Sequence, residues 1–431
     1  MCFEIISVVG LGYIGLPTAA MLSFKEKTVI GVDVNKHAVD TINKGCIHIV
    51  EPGLSEVVRQ VVGKGFLKAT TVPEPADAFL IAVPTPFVGE FQPDVSYIKS
   101  ACSSIAPCLK KGDLIILEST SPVGTTELMA EWLQEARPDL KFPFNENDIP
   151  DVHLAYCPER VLPGQVLREL VENDRVVGGV TPECSRRAKE LYNIFVEGEC
   201  VVTNSRTAEM AKLTENSFRD VNIAFANELS IICDKENIDV WELIALANRH
   251  PRVNILKPGA GVGGHCIAVD PWFIVAKSPD EAKLIKTARE VNDSKPLWLI
   301  EKVKVAIADC LLENPNKSVN DIVIGCYGLA FKPDIDDLRE SPAVKIVNML
   351  AESFAGRIVV CEPHINSLPD SMNSKLELLE ITKMQPVTEI DVILVAHSAF
   401  SGLFEDSSKS IIDACGVVKQ VSSSNNIRKI A

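Results

Sequence analysis

Over the first two hundred residues, short β-branched runs alternate with amphipathic stretches. IISVVG (5–10), TVIGVDV (28–34), AFLIAVPTP (78–86) and DLIILEST (113–120) lack the regular polar alternation of a half-exposed strand. They predict strands buried on both faces of a parallel sheet. VHLAYCPER (152–160) predicts a further strand running into a loop. PEPADA (73–78) marks a turn before the third strand, and PDLKFPFNENDIPD (138–151) a polar surface loop. Strands alternating with helices predict a doubly wound α/β domain to about residue 200.

From Thr207 to about Leu311 the pattern becomes helical. The segment 207–236 keeps helical periodicity without Gly or Pro, and AKLIKTAREVND (282–293) predicts another helix after a Gly/Pro-rich loop. ENPNKS (313–318) is a connector. Beyond it, DIVIGCYGLAF (321–331), GRIVVCEP (356–363) and DVILVAHS (391–398) predict three strands of a second, smaller α/β domain. Ser341 and Pro342 fit the N-cap and first position of a helix between the first two. The expected divisions are residues 1–205, 206–311 and 312–431.

Length and charge narrow the classes. A chain of 431 residues implies two or three compact units. A net charge of -15 argues against nucleic acid or an anionic membrane surface as the main partner. The uncharged stretch from Ile5 to Phe24 is long enough to span a bilayer, but Gly10, Gly12, Gly15 and Pro17 interrupt it. It is read as strand, turn and helix start rather than a membrane anchor. Thirteen cysteines without CxxC pairs point to a reduced, cytoplasmic setting.

VVGLGYIGLP places Gly10, Gly12 and Gly15 in the G-x-G-x-x-G pattern between a strand and a helix, with Asp33 at the end of the next strand. Such a loop admits a pyrophosphate to the backbone and to the helix N-terminus. Asp33 suits a ribose 2′-hydroxyl and would repel a 2′-phosphate, so NAD is favoured over NADP.

GVGGHCIAVDP (261–271) sets Cys266 in small residues, four before Asp270. Three readings remain open: buried filler, a metal ligand with His265 and His250 or Cys233, or a nucleophile. The last has a chemical motive beside NAD. An aldehyde has no hydride to give until a nucleophile adds to its carbonyl. A thiolate adduct can be oxidised to a thioester and hydrolysed to an acid. The glycines are expected to leave the thiol open to its substrate.

Five segments in order, GLGYIGLPTA, CPERVLPGQ, AEMAKLTENSFRDVNIAFANEL, GVGGHCIAVDP and GLAFKPDIDDLRESP, resemble the motifs of the UDP-glucose/GDP-mannose dehydrogenase family over nearly the whole chain. The resemblance implies an N-terminal Rossmann-type domain, a central long-helix dimerisation segment and a C-terminal UDP-sugar-binding α/β domain. It implies NAD-dependent, four-electron oxidation of the C6 hydroxyl of a UDP-sugar. Cys266 is then the thioester nucleophile, and Lys212 the proton donor and acceptor of the first oxidation. Asn216 shares its helix face, Asp270 assists hydrolysis, Glu159 orders water, and Thr120 lies beside the nicotinamide. The cofactor set is Gly10, Gly12, Tyr13, Ile14, Gly15, Asp33, Thr85, Thr126 and Arg339. The substrate set is Arg160, Val161, Lys212, Asn216, Arg219, His250, Arg252, Gly263, Phe331 and Lys332. Arg252 would reach the site of a second subunit, which implies a homodimer. No metal is implied. The insert IAV between Cys266 and Asp270 departs from the Phe-Lys of UDP-glucose enzymes and points to an N-acetylated sugar.

Overall fold

A computed structural model of the chain describes residues 3–89, 91–162, 164–264, 266–404, 409–418 and the backbone of 427–428. Two compact units divide at Glu215 and Asn216. Sixteen strands are present among the described residues. In the first unit they are β1 (Ile5–Val9), β2 (Thr28–Val32), β3 (Leu67–Thr70), β4 (Ala78–Ile81), the two-residue hairpin strands β5 (Phe87–Val88) and β6 (Gln92–Pro93), β7 (Leu114–Leu117), β8 (His153–Tyr156), β9 (Arg175–Gly179) and β10 (Cys200–Asn204).

Eight of these form one sheet in the order β10-β9-β8-β7-β4-β1-β2-β3. Pairing is parallel except between β8 and β9. The order β3-β2-β1-β4-β7-β8 is that of a doubly wound Rossmann sheet, extended by two strands at one edge. Every residue of β4, β7 and β8 is buried, as continuous apolar runs demand when helices cover both faces. Ile6, Val8, Leu80 and Ile116 pack into the core on one face, and Phe79, Ile81 and Ile115 on the other. AFLI is the fourth strand rather than the third. LKAT, with alternating burial and a lysine inside it, precedes it as β3.

The stretch from Ile5 to Phe24 resolves into β1, the glycine loop and the helix Gly15–Phe24. Among the described residues no helix is long and apolar enough to cross a membrane.

The second unit carries β11 (Val323–Tyr327), β12 (Arg357–Cys361), β13 (Glu377–Leu378), β14 (Ile390–Ile393), β15 (Ser410–Asp413) and β16 (Ile427–Arg428). They form an all-parallel sheet in the order β13-β12-β11-β14-β15-β16. The same winding therefore occurs twice, and in each sheet the first strand has its chain reversal of order beside it, between β1 and β4 and between β11 and β14. Ser341 accepts from the Val344 amide and Pro342 opens the helix Pro342–Ser353, as the sequence predicts.

The helix Ser205–Glu236 belongs to the first unit as far as Glu215 and to the second from Asn216. The second long helix, Lys283–Glu313, runs on through Pro296, well past the segment its periodicity marked. Pro296 has no N–H for the Asn292 carbonyl, yet the helix continues because Leu299, Ile300 and Val303 are buried in the core of the second domain. A buried network joins the two helices. Arg289 donates to Asp220 at 2.6 Å, Asn292 donates to the same carboxylate at 2.8 Å, and Asn227 donates to Asn292 at 2.8 Å. Removing one member of a buried ion pair costs about 3–5 kcal/mol, so this crossing is fixed rather than adjustable.

The three glycines of the first loop do different things. Gly10 has φ +93°, and a Cβ on Gly15 would stand 1.8 Å from the Gly10 carbonyl oxygen. A Cβ on Gly12 would meet nothing within 4 Å. Gly15→Ala is therefore expected to lower stability by about 1–3 kcal/mol or prevent folding, whereas Gly12→Ala should leave the urea midpoint near wild type. Equal midpoints for the two variants would contradict this packing.

Candidate active site

In the first unit the loop Gly10–Gly15 leaves β1 at the point where strand order reverses, between β1 and β4. Asp33, just after β2, accepts from the Leu11 amide and the Asn35 amide, each at 2.8 Å. Its carboxylate thus braces the loop from behind. Gly12 and Tyr13 are exposed and Ile14 half-buried, so backbone near the N-terminus of the helix Gly15–Phe24 faces open space. Such a loop fits a pyrophosphate, since it offers amides and a helix N-terminus with no side chain at Gly12.

Thr85, after β4, donates to the Thr120 carbonyl, after β7, at 2.6 Å, linking two adjacent strand ends. Thr126 differs from expectation. It is wholly buried, and its hydroxyl and amide donate to Glu209 at 2.7 and 2.8 Å. Glu209 also accepts from the Gly124 amide, so this carboxylate caps the helix Thr125–Ala136 from a distance. Burial raises its pKa, and these donors oppose that rise. Thr126 braces the helix rather than lining a cleft.

Glu159, the third residue of CPER, is 9 % exposed. It accepts from Arg175 at 2.9 Å and from the Arg160 amide at 3.0 Å. Behind it lies Glu118, buried, which accepts from the Tyr192 hydroxyl at 2.7 Å. The Arg175 guanidinium stands over the Tyr192 ring, 4.7 Å from its centroid. One arginine thus faces two carboxylates. Burial pushes Glu118 up to about 7, with the Glu159 charge adding to the rise and Arg175 and Tyr192 opposing it. Arg160 pairs with Glu215 at 3.0 Å, while Val161 and Lys212 are half-buried.

In the second unit Cys266 is half-buried at a turn, its carbonyl accepting from the Val269 and Asp270 amides at 3.1 and 2.9 Å. Asp270 opens the helix Asp270–Lys277, is 3 % exposed, and accepts a hydrogen bond from Asn216. The structure therefore brings together Cys266, Asp270 and Asn216. The approach to the thiol is anchored at Gly259, whose amide donates to Asn227 at 2.9 Å. It is anchored again at Gly264, whose amide donates to the Arg339 carbonyl at 3.3 Å.

The glycines here serve packing more than access. A Cβ on Gly263 would stand 2.6 Å from the Glu340 carbonyl oxygen and 2.9 Å from the Phe331 Cβ. Gly264, at φ +80°, faces the Phe331 ring. The cysteine loop lies flush against the loop that follows β11, where Phe331 and Lys332 are half-buried. Arg339 is exposed and donates to Asp337 at 2.6 Å. Arg219, His250 and Arg252 are exposed, with the Arg252 amide donating to His250 at 3.3 Å. His265 lies outside the described residues.

Cys266 is half-buried, as are Cys108, Cys310 and Cys415, whereas the other described thiols apart from the exposed Cys46 are buried. Burial pushes Cys102, Cys157, Cys326 and Cys361 up to about 12, and also raises Cys108, Cys200, Cys233, Cys310 and Cys415. A thiol so shifted is a poor source of thiolate. Sequence reading missed Glu118, Arg175, Tyr192, Asp220, Arg289, Glu362 and His397. A usable signal was present for some of them: Glu362 and His397 are polar residues just past the carboxyl ends of buried parallel strands.

The Glu118 placement predicts a pH dependence. Between the usual carboxylate value and about 7, the folded chain holds a proton there that the unfolded chain has released. That contribution to stability is complete at low pH and is lost as pH rises through about 7. Glu118→Gln keeps the Tyr192 contact without titrating. The wild-type minus variant difference in urea midpoint should fall from pH 5 to 7.5, and a flat difference would contradict the assignment.

The chain matches the models of the UDP-glucose/GDP-mannose dehydrogenase family for the NAD binding domain over residues 4–196, the central domain over 206–294 and the UDP binding domain over 325–420. It is 62% identical over 419 residues to UDP-N-acetyl-D-mannosamine dehydrogenase of Escherichia coli strain K12, covering 97% of this chain and 100% of that one. It is 58% identical to NDP-N-acetyl-D-galactosaminuronic acid dehydrogenase of Ralstonia nicotianae, covering 96% of each. Among solved structures, UDP-D-ManNAc dehydrogenase from Pyrococcus horikoshii superposes with a TM-score of 0.86 at 35% identity, covering 99% of both chains.

Proposed function

The chain belongs to the UDP-glucose/GDP-mannose dehydrogenase family, and from that premise we propose that it oxidises C6 of UDP-N-acetyl-D-mannosamine twice, to the uronate. It is an NAD-dependent UDP-sugar dehydrogenase. The observation that carries the reading is the half-buried Cys266, in a turn closed by Asp270 with Asn216 bonded to that carboxylate. In this reading residues 1–205 bind NAD, 206–311 form the central segment with the cysteine loop, and 312–431 bind the UDP-sugar.

The cofactor residues are Gly10, Gly12, Tyr13, Ile14, Gly15, Asp33, Thr85 and Arg339. Held there, NAD⁺ accepts one hydride in each oxidation. Lys212 takes the proton of the C6 hydroxyl and steadies the oxygen as it becomes a carbonyl, with Asn216 beside it. The Cys266 thiolate then adds to the aldehyde carbon, and oxidation of that hemithioacetal leaves a thioester on Sγ. Water ordered by Glu159 adds to the thioester carbonyl, the C–S bond breaks, and the acid leaves while the thiolate is restored. Asp270 assists by directing the proton. Thr120 lies at the reacting end, and Arg160, Val161, Arg219, His250, Gly263, Phe331 and Lys332 hold the sugar nucleotide. Arginine forks suit its diphosphate. The Ralstonia relative favours including the N-acetylgalactosamine nucleotide among the substrates tested.

The reading includes a homodimer, with Arg252 reaching the partner's site. Phe218, Phe225 and Ile232, spaced seven apart on the long helix, are 70%, 53% and 48% exposed. An apolar stripe of that size in water favours a covering surface. The described cysteines are free, which fits a reduced compartment, and the cytoplasm is the proposed setting.

Two NADH per sugar are expected with UDP-N-acetyl-D-mannosamine, read by absorbance, and one would remove the thioester step. Cys266→Ser should lower net turnover on the order of 10³-fold or more; uronate release at the wild-type rate would overturn the nucleophile. Phe225→Glu should yield monomers by light scattering and lose activity, and an active monomer would contradict the shared site.

A further inference from the structure

Carboxyl ends of three adjacent strands, β12, β11 and β14, meet where the second sheet reverses its order. Asp334, His364 and His397 bring ligand-type atoms within 4.8 Å of one another there, a spacing that would suit a cation. The bonds already made by His397 rule that out. His397 is 2 % exposed. Its Nδ1 accepts from the Asp334 amide at 2.9 Å, which assigns the proton to Nε2, and Nε2 donates to Glu362 at 3.0 Å. Both ring nitrogens are engaged, so the imidazole has no lone pair for an ion.

Glu362 is the hub of this arrangement. One oxygen accepts from His397, from the Leu329 amide at 2.7 Å and from the Ala330 amide at 3.0 Å, and the other from the His364 amide at 3.1 Å. Burial alone would raise this carboxyl, but the His397 bond and the two loop amides outweigh it and hold the pKa below its ordinary value. At the far side of the loop, Asp334 has φ +60° and accepts from the Ser398 amide and hydroxyl at 2.9 and 3.0 Å. A non-glycine residue in that region needs such restraint. The loop from Gly328 to Asp334 is thus pinned at both ends, with Phe331 and Lys332 between. Phe331 in turn lies against Gly263 and Gly264, two residues before Cys266.

We infer that Glu362 and His397 are positioning residues for Cys266, acting through the Gly328–Asp334 loop and the Phe331 ring on the backbone that carries the thiol. The inference rests on the cysteine's proposed role as nucleophile. A misplacement of about 1 Å at a reacting group can cost on the order of 10²-fold in rate.

The test uses the full chain in Glu362→Ala, Glu362→Gln, His397→Ala and Phe331→Leu variants, with alkylation of Cys266 by iodoacetamide followed by peptide mass spectrometry. Glu362→Ala and His397→Ala should change the Cys266 alkylation rate at least about fivefold and lower kcat by about 10–100-fold, with NAD affinity unchanged by calorimetry. Glu362→Gln keeps an oxygen for Leu329, Ala330 and His397 and should restore most of both values. Phe331→Leu leaves the buried pair intact and should reproduce the alkylation change. It decides the matter if the alanine variants fail to fold. Alkylation and kcat within twofold of wild type, with only the melting temperature lowered, would overturn the inference, as would zinc binding by the wild type that His397→Ala abolishes. A wild-type yield of one NADH per sugar would instead defeat the proposed reaction, since alkylation is measured without turnover.

Discussion

Two glycines, one with no room for a side chain and one in left-handed backbone, hold the second unit's reactive segment in place. Gly263 and Gly264 press their backbone onto Phe331, Glu340 and Pro342, and Cys266 follows within three residues. Because Gly263 meets a carbonyl and a Cβ, it tolerates no added methyl group, and the contact fixes the thiol's chain path by shape rather than by strong bonds. The turn closed by the Asp270 amide then directs the cysteine, and Asn216 links that turn to the long helix. Everything assigned to Cys266 depends on this path being rigid.

Buried charge completes the rigidity, with a separate solution in each unit. In the first, Arg175 stands between Glu159 and Glu118, so one carboxylate is matched and the other retains its proton more readily. In the second, Asp220 takes both Arg289 and Asn292, and burial raises its pKa against those donors. Unpaired charges at such depth would be costly, so each carboxylate gathers its donors and thereby fixes the elements that supply them. A chain of net charge -15 can hold an anionic ligand on these terms, because local arginine and amide donors decide binding where total charge does not.

Much of this was readable from the residues. The strands β1, β2, β4, β7 and β8 are apolar enough to declare themselves, and Gly10, Gly12 and Gly15 announce a turn between strand and helix. β3, β9 and β10 were not legible, because Lys68 lies inside one, Arg175 opens another with two glycines at its end, and the third has mixed exposure. Antiparallel pairing of β9 with β8 leaves no local trace at all. The helix through Pro296 extends past the segment 282–293 marked by periodicity, because tertiary packing carries it on. For the site, spacing left three readings of Cys266 open and the family resemblance supplied the roles proposed for Cys266 and Asp270, while the reason for Gly263 and Gly264 was visible in neither. Their partners lie about seventy residues downstream, and only the fold brings Phe331 to them. Glu362, just past β12, and His397, in the loop after β14, carried the faint signal of polar residues beyond buried strands, but what they meet is set by sheet order.

A covalent sugar on one sulfur is the claim on which the account turns. Acid-quenched turnover with UDP-N-acetyl-D-mannosamine and NAD⁺, followed by peptide mass spectrometry, observes it directly. The account predicts an acyl-sugar adduct on the Cys266 peptide that builds during turnover and disappears when substrate is spent. Full turnover with that peptide unmodified at every quench time, or an adduct carried by a different cysteine, would contradict it.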